Sequence, residues 1–257
     1  MSLPVLTESC DVAALAALRE KCWRPGLSGP SHSELFAESD EASGAAFALA
    51  LACDALDVAA QARKAGALAE SGEQRQVLWV QDRAAVRLTG RPYRHGLPEN
   101  LRHRLIHVEA ATPEDALFAL EEGLRCRDLA FVLGEMAGNP KALSFTASRR
   151  LSLAAEKHGV PLWLVRLDAQ ADLSSARMRW RVASAASPAP RWNRAAPGMP
   201  SWQAELFRAR IHAPGEWIVR DDGGRLTATS PSAAMRATPP NYGSLALAAR
   251  SRSLAAL

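Results

Sequence analysis

Apolar positions in this chain follow two alternating rhythms between His32 and Leu167. Compact runs come first: "ELF" inside "HSELFA", "QVLWVQ" (Gln76–Gln81), "RLIHVE" (Arg104–Glu109), "LAFVLGE" (Leu129–Glu135) and "VPLWLVRL" (Val160–Leu167). Their length and their branched and aromatic content predict strands. "LAFVLGE" is apolar almost throughout, as in a strand covered on both faces. Between the runs lie three helical stretches: Ala45–Arg63, "ATPEDALFALEEGLRC" and "SFTASRRLSLAAEKHG". In the second, Thr112 is placed to cap the helix, Pro113 to occupy its first turn, and acidic residues to face its positive end. Gly159 ends the third. Strands alternating with helices predict an α/β fold with a mainly parallel central sheet and helices on both faces.

The pattern changes on either side of this region. Ser9 to Trp23 reads as a short N-terminal helix, with Val12, Leu15, Leu18 and Cys22 roughly on one face, and "RPGLSGP" as a linker after it. "ARMRWRVAS" has a period of two. It predicts a strand with Arg177, Arg179 and Arg181 on a wet face and Met178, Trp180 and Val182 on the other. A Pro-rich connector follows, and "AELFRAR…GEWIVRDDGGRL" predicts two late antiparallel strands. The rest, from about Pro231, reads as a mobile tail. The expected organisation is therefore residues 1–30 as helix and linker, 31–228 as core, and 229–257 as tail. "QAELF" (Gln203–Phe207) resembles pentapeptides that bind the bacterial sliding clamp, but it falls where a late strand is expected.

Charge divides the chain. Residues 1–135 hold 14 Lys/Arg against 20 Asp/Glu, and residues 136–257 hold 17 against 7. A basic half suits nucleic acid or an acidic protein surface, and charge alone does not separate them. Cys10, Cys22, Cys53 and Cys126 are scattered without metal-ligand spacing, so they are expected as buried or half-buried free thiols in a reducing cytoplasm. The first residues lack the pattern of a secretory signal, and no apolar run was expected to reach the ~20 residues of a membrane span.

The chemistry-bearing candidate is "AESDEASG", a loop between a strand and a helix. A phosphate-binding loop needs converging backbone N–H groups, a lysine for the phosphates and a hydroxyl for Mg²⁺. On that template Ala37 and Ala42 take glycine positions, Ser43 the lysine position and Gly44 the hydroxyl position. Glu38, Asp40 and Glu41 would further oppose a triphosphate. The loop is thus a degenerate P-loop with no expected cofactor. His103 and His107 are four apart, but the second falls in a strand, which argues against a shared metal. No nucleophile elbow or dinucleotide fingerprint occurs.

The ordered series "HSELFAE…GAAFALALA", "VLWVQD", "GLPENLRHRLIHVEA", "DALFALEEGLRCRDLAFVLGE", "LSFTASRRLSLAAEKHGVPLWLVR" and "SSARMRWRVA" resembles the core of the RecA recombinase. More specifically it resembles the ImuA family, RecA-like accessory proteins of the SOS-induced mutagenesis cassette. The resemblance implies a RecA-like core over residues 31–228. It also implies that two more catalytic elements are missing. The water-activating glutamate falls at about Arg83, and the aspartate for the metal-bound water at Gly134 or Glu135. The connections matching the recombinase DNA loops, "MAGNPKAL" and "DAQADLS", are short and hold one lysine.

What the resemblance implies is a non-catalytic scaffold in translesion DNA synthesis. Its partners would be an ImuB-like Y-family polymerase homologue, an error-prone replicative-type polymerase subunit and RecA itself. Two other readings stand beside it. One is a basic DNA-binding protein using Arg177, Arg179 and Arg181 without nucleotide; the other is a residual RecA-type ATPase. The same three arginines are the candidate contacts for a protein partner.

Overall fold

A computed structural model describes residues 22–27, 32–66, 73–190, 192–193 and 196–231. The expected helix from Ser9 lies outside these residues except for its end, and so does the expected tail beyond Pro231. The described residues form one nine-stranded sheet. In chain order the elements are β1 (His32–Ala37), α1 (Ser43–Gly66), β2 (Gln76–Asp82), α2 (Arg83–Thr89), α3 (Glu99–Arg102) and β3 (Leu105–Ala110). Then come α4 (Pro113–Arg125), β4 (Leu129–Ala137), α5 (Phe145–His158) and β5 (Leu162–Leu167). β6 (Met178–Ser184), β7 (Ser201–Ala209), β8 (Gly215–Asp221) and β9 (Leu226–Thr229) complete it.

The strand order is β3-β2-β4-β5-β1-β6-β7-β8-β9. Pairings from β3 to β6 are parallel, and those from β6 to β9 are antiparallel. The fold is thus mixed α/β, with a mostly parallel sheet and late antiparallel strands. The boundaries follow local chemistry. The Thr112 hydroxyl accepts from the Asp115 N–H at the start of α4, and Ser144 does the same for α5 through Ala147. Gly159 ends α5 at φ 71°, a left-handed conformation that suits glycine.

Each sheet face carries its own apolar core. On one face α1 covers β1, β5 and β6 and lays Phe47, Ala48, Leu51 and Ala52 against Leu35, Val165 and Trp180. On the other, α4 and α5 bury Leu120, Leu124 and Leu151 against Val132, Leu162 and Leu164. The first core is notably aromatic. Trp180 is fully buried, with Trp23, Phe47 and Trp217 packed around it at centroid distances of 4.8, 5.8 and 6.0 Å.

Several expectations change here. Cys22 and Trp23 do not end a helix: Cys22 bridges to Ala213 in extended form, and Trp23 is buried in the aromatic core. The described part of the linker, residues 24–27, is therefore docked, with the Gly26 N–H donating to Asp54 on α1, and the rest lies outside the described residues. Cys22 and Cys126 are exposed rather than buried, while Cys53 is half-buried, and burial pushes its thiol pKa up to about 12. Three late strands follow β6 instead of two. The sequence Asp221-Asp222-Gly223-Gly224 turns β8 into β9 through two glycines at positive φ, so Thr229 belongs to the sheet and not to a tail. Ser43–Gln61 is, after all, long and apolar enough to cross a membrane, but here it is the helix packed on the sheet. "QAELF" lies inside β7, paired with β6 on one side and β8 on the other, where a clamp could not reach its backbone.

Gly44 is fixed by close approach. A Cβ there would stand 2.8 Å from both Ala37 Cβ and Val165 Cγ1, between α1 and the sheet. Gly44→Ala is expected to destabilise the fold by about 1–3 kcal/mol through overpacking, read as a lower urea midpoint at unchanged m-value.

Candidate functional site

The carboxyl end of β1 has the strand–loop–helix geometry expected of "AESDEASG": β1 stops at Ala37 and α1 begins at Ser43. The loop is closed by the chain's own carboxylates. Asp168, at φ 50° just after β5, accepts the Ser39 N–H at 2.8 Å, and hydrogen bonding by the Ser39 side chain, then by its N–H, holds the carboxyl below the usual range. Glu41 accepts from the Ser43 hydroxyl at 2.7 Å and from the Ser184 N–H at the end of β6 at 2.9 and 3.1 Å. Negative oxygens thus already stand beside the start of α1, where an anion would be attracted. Ala37, Ala42, Ser43 and Gly44 sit where the sequence placed them, and Ser43 and Gly44 are buried.

The positions matched to catalytic carboxylates also have other occupations. Arg83 is an exposed first residue of α2, whose N-terminus is capped by Asp82 through the Ala85 N–H. Glu135 is buried and accepts from Trp79 Nε1 at 2.6 Å, Gln81 Nε2 at 3.2 Å and Thr89 Oγ1 at 3.2 Å. Burial raises its pKa against the pull of these donors. Gln81 in turn bonds His107, so that histidine belongs to a strand-to-strand network. Among the described residues no three His, Cys, Asp or Glu side chains converge as a metal site.

The arginine comb of β6 is where sequence and structure part. Arg177, Arg179 and Arg181 do share a side, but that side is not uniformly wet. Arg179 is only 3% exposed, and its Nε donates to Glu34, its direct neighbour in register on β1, at 2.8 Å. The other Glu34 oxygen accepts from Ser174 at 2.6 Å. Arg177 pairs with Glu156 on α5, and Arg181 with Glu205 on β7 at 3.0 Å. Aromatic rings also stand beside them. Arg179 lies over Phe36 and Phe207 at 5.1 and 5.4 Å, and Arg181 over Phe207 at 4.5 Å. Arg179 therefore cannot serve as an exposed contact; of the three, Arg181 is the exposed one.

Sequence reasoning missed this buried network because its partners come from distant segments. Arg166, also buried, stacks on Phe36 at 5.7 Å and donates to the Gly138 carbonyl at 2.9 Å. The loops after β4 and β5 are tied together above it. Asn139 bonds the Gln170 carbonyl and Asp172, and receives the Gln170 N–H. These are the connections that the sequence resemblance set against the recombinase DNA loops, and here each is held by the other. Beside them a cavity of about 530 Å³ opens over Phe36, Glu38, Gln170, Arg181 and Glu205.

His32 completes the buried polar face of β1. Its Nδ1 lies 2.8 Å from Ser152 Oγ, and that hydroxyl donates to the Ser175 carbonyl. The ring must therefore donate from Nδ1, and burial in this site favours its neutral Nδ1–H form over the imidazolium. Burial lowers its pKa from 6.5 to about 4.

Compared with known proteins, the chain matches no family model and no curated sequence.

Two outcomes are expected from this geometry. Arg179→Ala strands Glu34 without its cation and should cost about 3–5 kcal/mol, whereas Arg181→Ala should cost under about 1 kcal/mol in chemical denaturation. His32 is neutral when folded and titrates near 6.5 when unfolded, so the unfolded chain binds more protons between these pH values. Its contribution is complete above pH 6.5 and is lost as pH falls toward 4, up to about 3 kcal/mol. The pH dependence of unfolding should therefore be shallower in His32→Gln than in the parent chain; parallel curves would remove His32 as the cause.

Proposed function

We propose that this chain is a non-hydrolysing, RecA-like accessory protein of SOS-induced mutagenesis, acting in translesion synthesis through protein contacts. The observation that carries this reading is the phosphate-loop position itself. Its strand–loop–helix frame is kept while Glu41 and Asp168 occupy its N–H and hydroxyl donors. The resemblance of the sequence series to the ImuA family supports the reading from the side of the sequence. The tied loops after β4 and β5 support a role that does not depend on gripping a DNA strand there.

Contacts with an ImuB-like Y-family polymerase homologue and with an error-prone polymerase subunit follow from that resemblance, as does contact with RecA, and the cytoplasm is the matching compartment. The DNA-binding alternative loses support from the arginine comb. One of its three cations is buried on Glu34, and the others are each paired with a carboxylate.

The reading is tested by two measurements on the full chain. Millimolar ATP or ADP with Mg²⁺ should leave the melting temperature unchanged, because a ligand bound only to the folded state would raise it. The chain should also co-purify with the polymerase homologue when the two are expressed together. A saturable nucleotide-dependent rise of several degrees, or no co-purification, would sink the proposal.

A further inference from the structure

Helix α1 carries more apolar surface than the sheet covers. Phe47, Ala48, Leu51 and Ala52 form the stripe buried on the strands. The adjoining stripe, Ala46, Leu49, Ala50, Cys53 and Leu56, recurs at three- and four-residue spacing and ends at Asp57. Ala50 belongs to the core and Leu49, Cys53 and Leu56 pack at its edge, and the rest of their surface forms one wall of a cavity of about 430 Å³. Leu97 and Pro98 make the opposite wall, and Trp202 and Leu226 reach it from β7 and β9. The size lies within the ~300–1,000 Å³ usual for binding cavities. Ala46, Asp57, Pro98 and Asn100 are exposed, so the cavity opens sideways along the helix as a groove.

Its charged side chains among the described residues have one sign. Asp57 stands on α1, and Asp221 stands across from it at the end of β8. One Asp221 oxygen receives the Gly224 N–H of the β8–β9 turn, which fixes the carboxylate in place. Both carboxylates act on the Cys53 thiol in the cavity wall. After burial they are the next causes of its raised pKa, ahead of the opposing Arg104. An apolar occupant fits the walls, and a cation fits the rim.

We propose that this groove docks a segment of a protein partner that pairs an aliphatic or aromatic side chain with an arginine or lysine. The apolar side chain enters between Leu49, Leu56, Leu97 and Trp202, and the cation meets Asp57 and Asp221. The occupant's being a protein rests on the scaffold reading; its chemistry rests on the groove alone. Leu56 and Leu97 shield the interaction from water, while the two carboxylates, on separate elements, select the sign of charge. Charge complementarity is the argument for the cation, since among the described residues no basic side chain lines the groove.

The test uses two defined probes against the isotope-labelled full chain: the peptides acetyl-LWRLLR-amide and acetyl-LWELLE-amide, which share their apolar residues. The basic peptide should bind roughly three- to tenfold tighter, as expected of two rim charge contacts. Its NMR perturbations should concentrate on the Trp202 indole and on residues 46–57. Ala46→Trp, at an exposed position, should fill the groove and abolish binding. Asp57→Asn with Asp221→Asn should leave binding but remove the preference for the basic peptide. Equal binding of the two peptides, perturbations centred elsewhere, or unchanged binding to the Ala46→Trp chain would overturn the proposal. A chain that binds the basic peptide in the groove but never co-purifies with the polymerase homologue would leave this inference standing and remove the scaffold reading. Co-purification without peptide preference would do the reverse.

Discussion

A carboxylate in the middle of a central strand is sustained only if a cation and hydrogen bonds reach it there, and most of this molecule's particular features follow from Glu34. The strand that carries it is covered on both faces, and Glu34 is 1% exposed. Arg179 supplies the cation from the next strand in register, and Ser174 supplies the second hydrogen bond. Burying such a pair is not a gain in itself, because desolvation offsets attraction. Losing half of it is costly, so β6 is held to one register and the segment before it is held over the sheet. That segment brings Ser175 against Ser148 and lets Arg177 reach Glu156 on α5. Phe36, stacked by Arg166 and Arg179, extends the same network to the loop after β4.

Through Phe36 this network adjoins the loop at the carboxyl end of β1, and the two share a logic. Where an anion-binding loop would keep its donors open, Asp168 and Glu41 take them up. Glu135 is likewise enclosed by Trp79, Gln81 and Thr89. Carboxylates here hold strands and loops together. The apolar groove beside α1 is a surface that this frame leaves open, with two carboxylates at its rim.

How much of this was legible in the residues varies by element. The strands from "HSELFA" to "VPLWLVRL" and the three long helices between them were readable because each writes its own period, and because Thr112, Pro113 and Gly159 mark helix ends by local chemistry; the short α2 and α3 carry too few residues to show a period. The late third strand was not readable, since four residues after "DDGG" carry too short a pattern to separate from a tail. Arg179 was misread for a related reason. Alternation reports which side of a strand a residue faces, but not what another part of the chain lays over that side.

By itself, then, the sequence determined the alternation of elements, their caps, the defects of the phosphate loop and the side of β6 on which its arginines stand. These are decided by residues within a few positions of one another. Only the tertiary structure decided that Glu34 finds Arg179, that Trp23 joins the core around Trp180, and that one stripe of α1 is left facing a groove. Each of those depends on segments far apart in the chain meeting across the sheet. A local pattern carries no record of such a meeting, because the free energy that selects it comes from burial and pairing after the strands have been ordered.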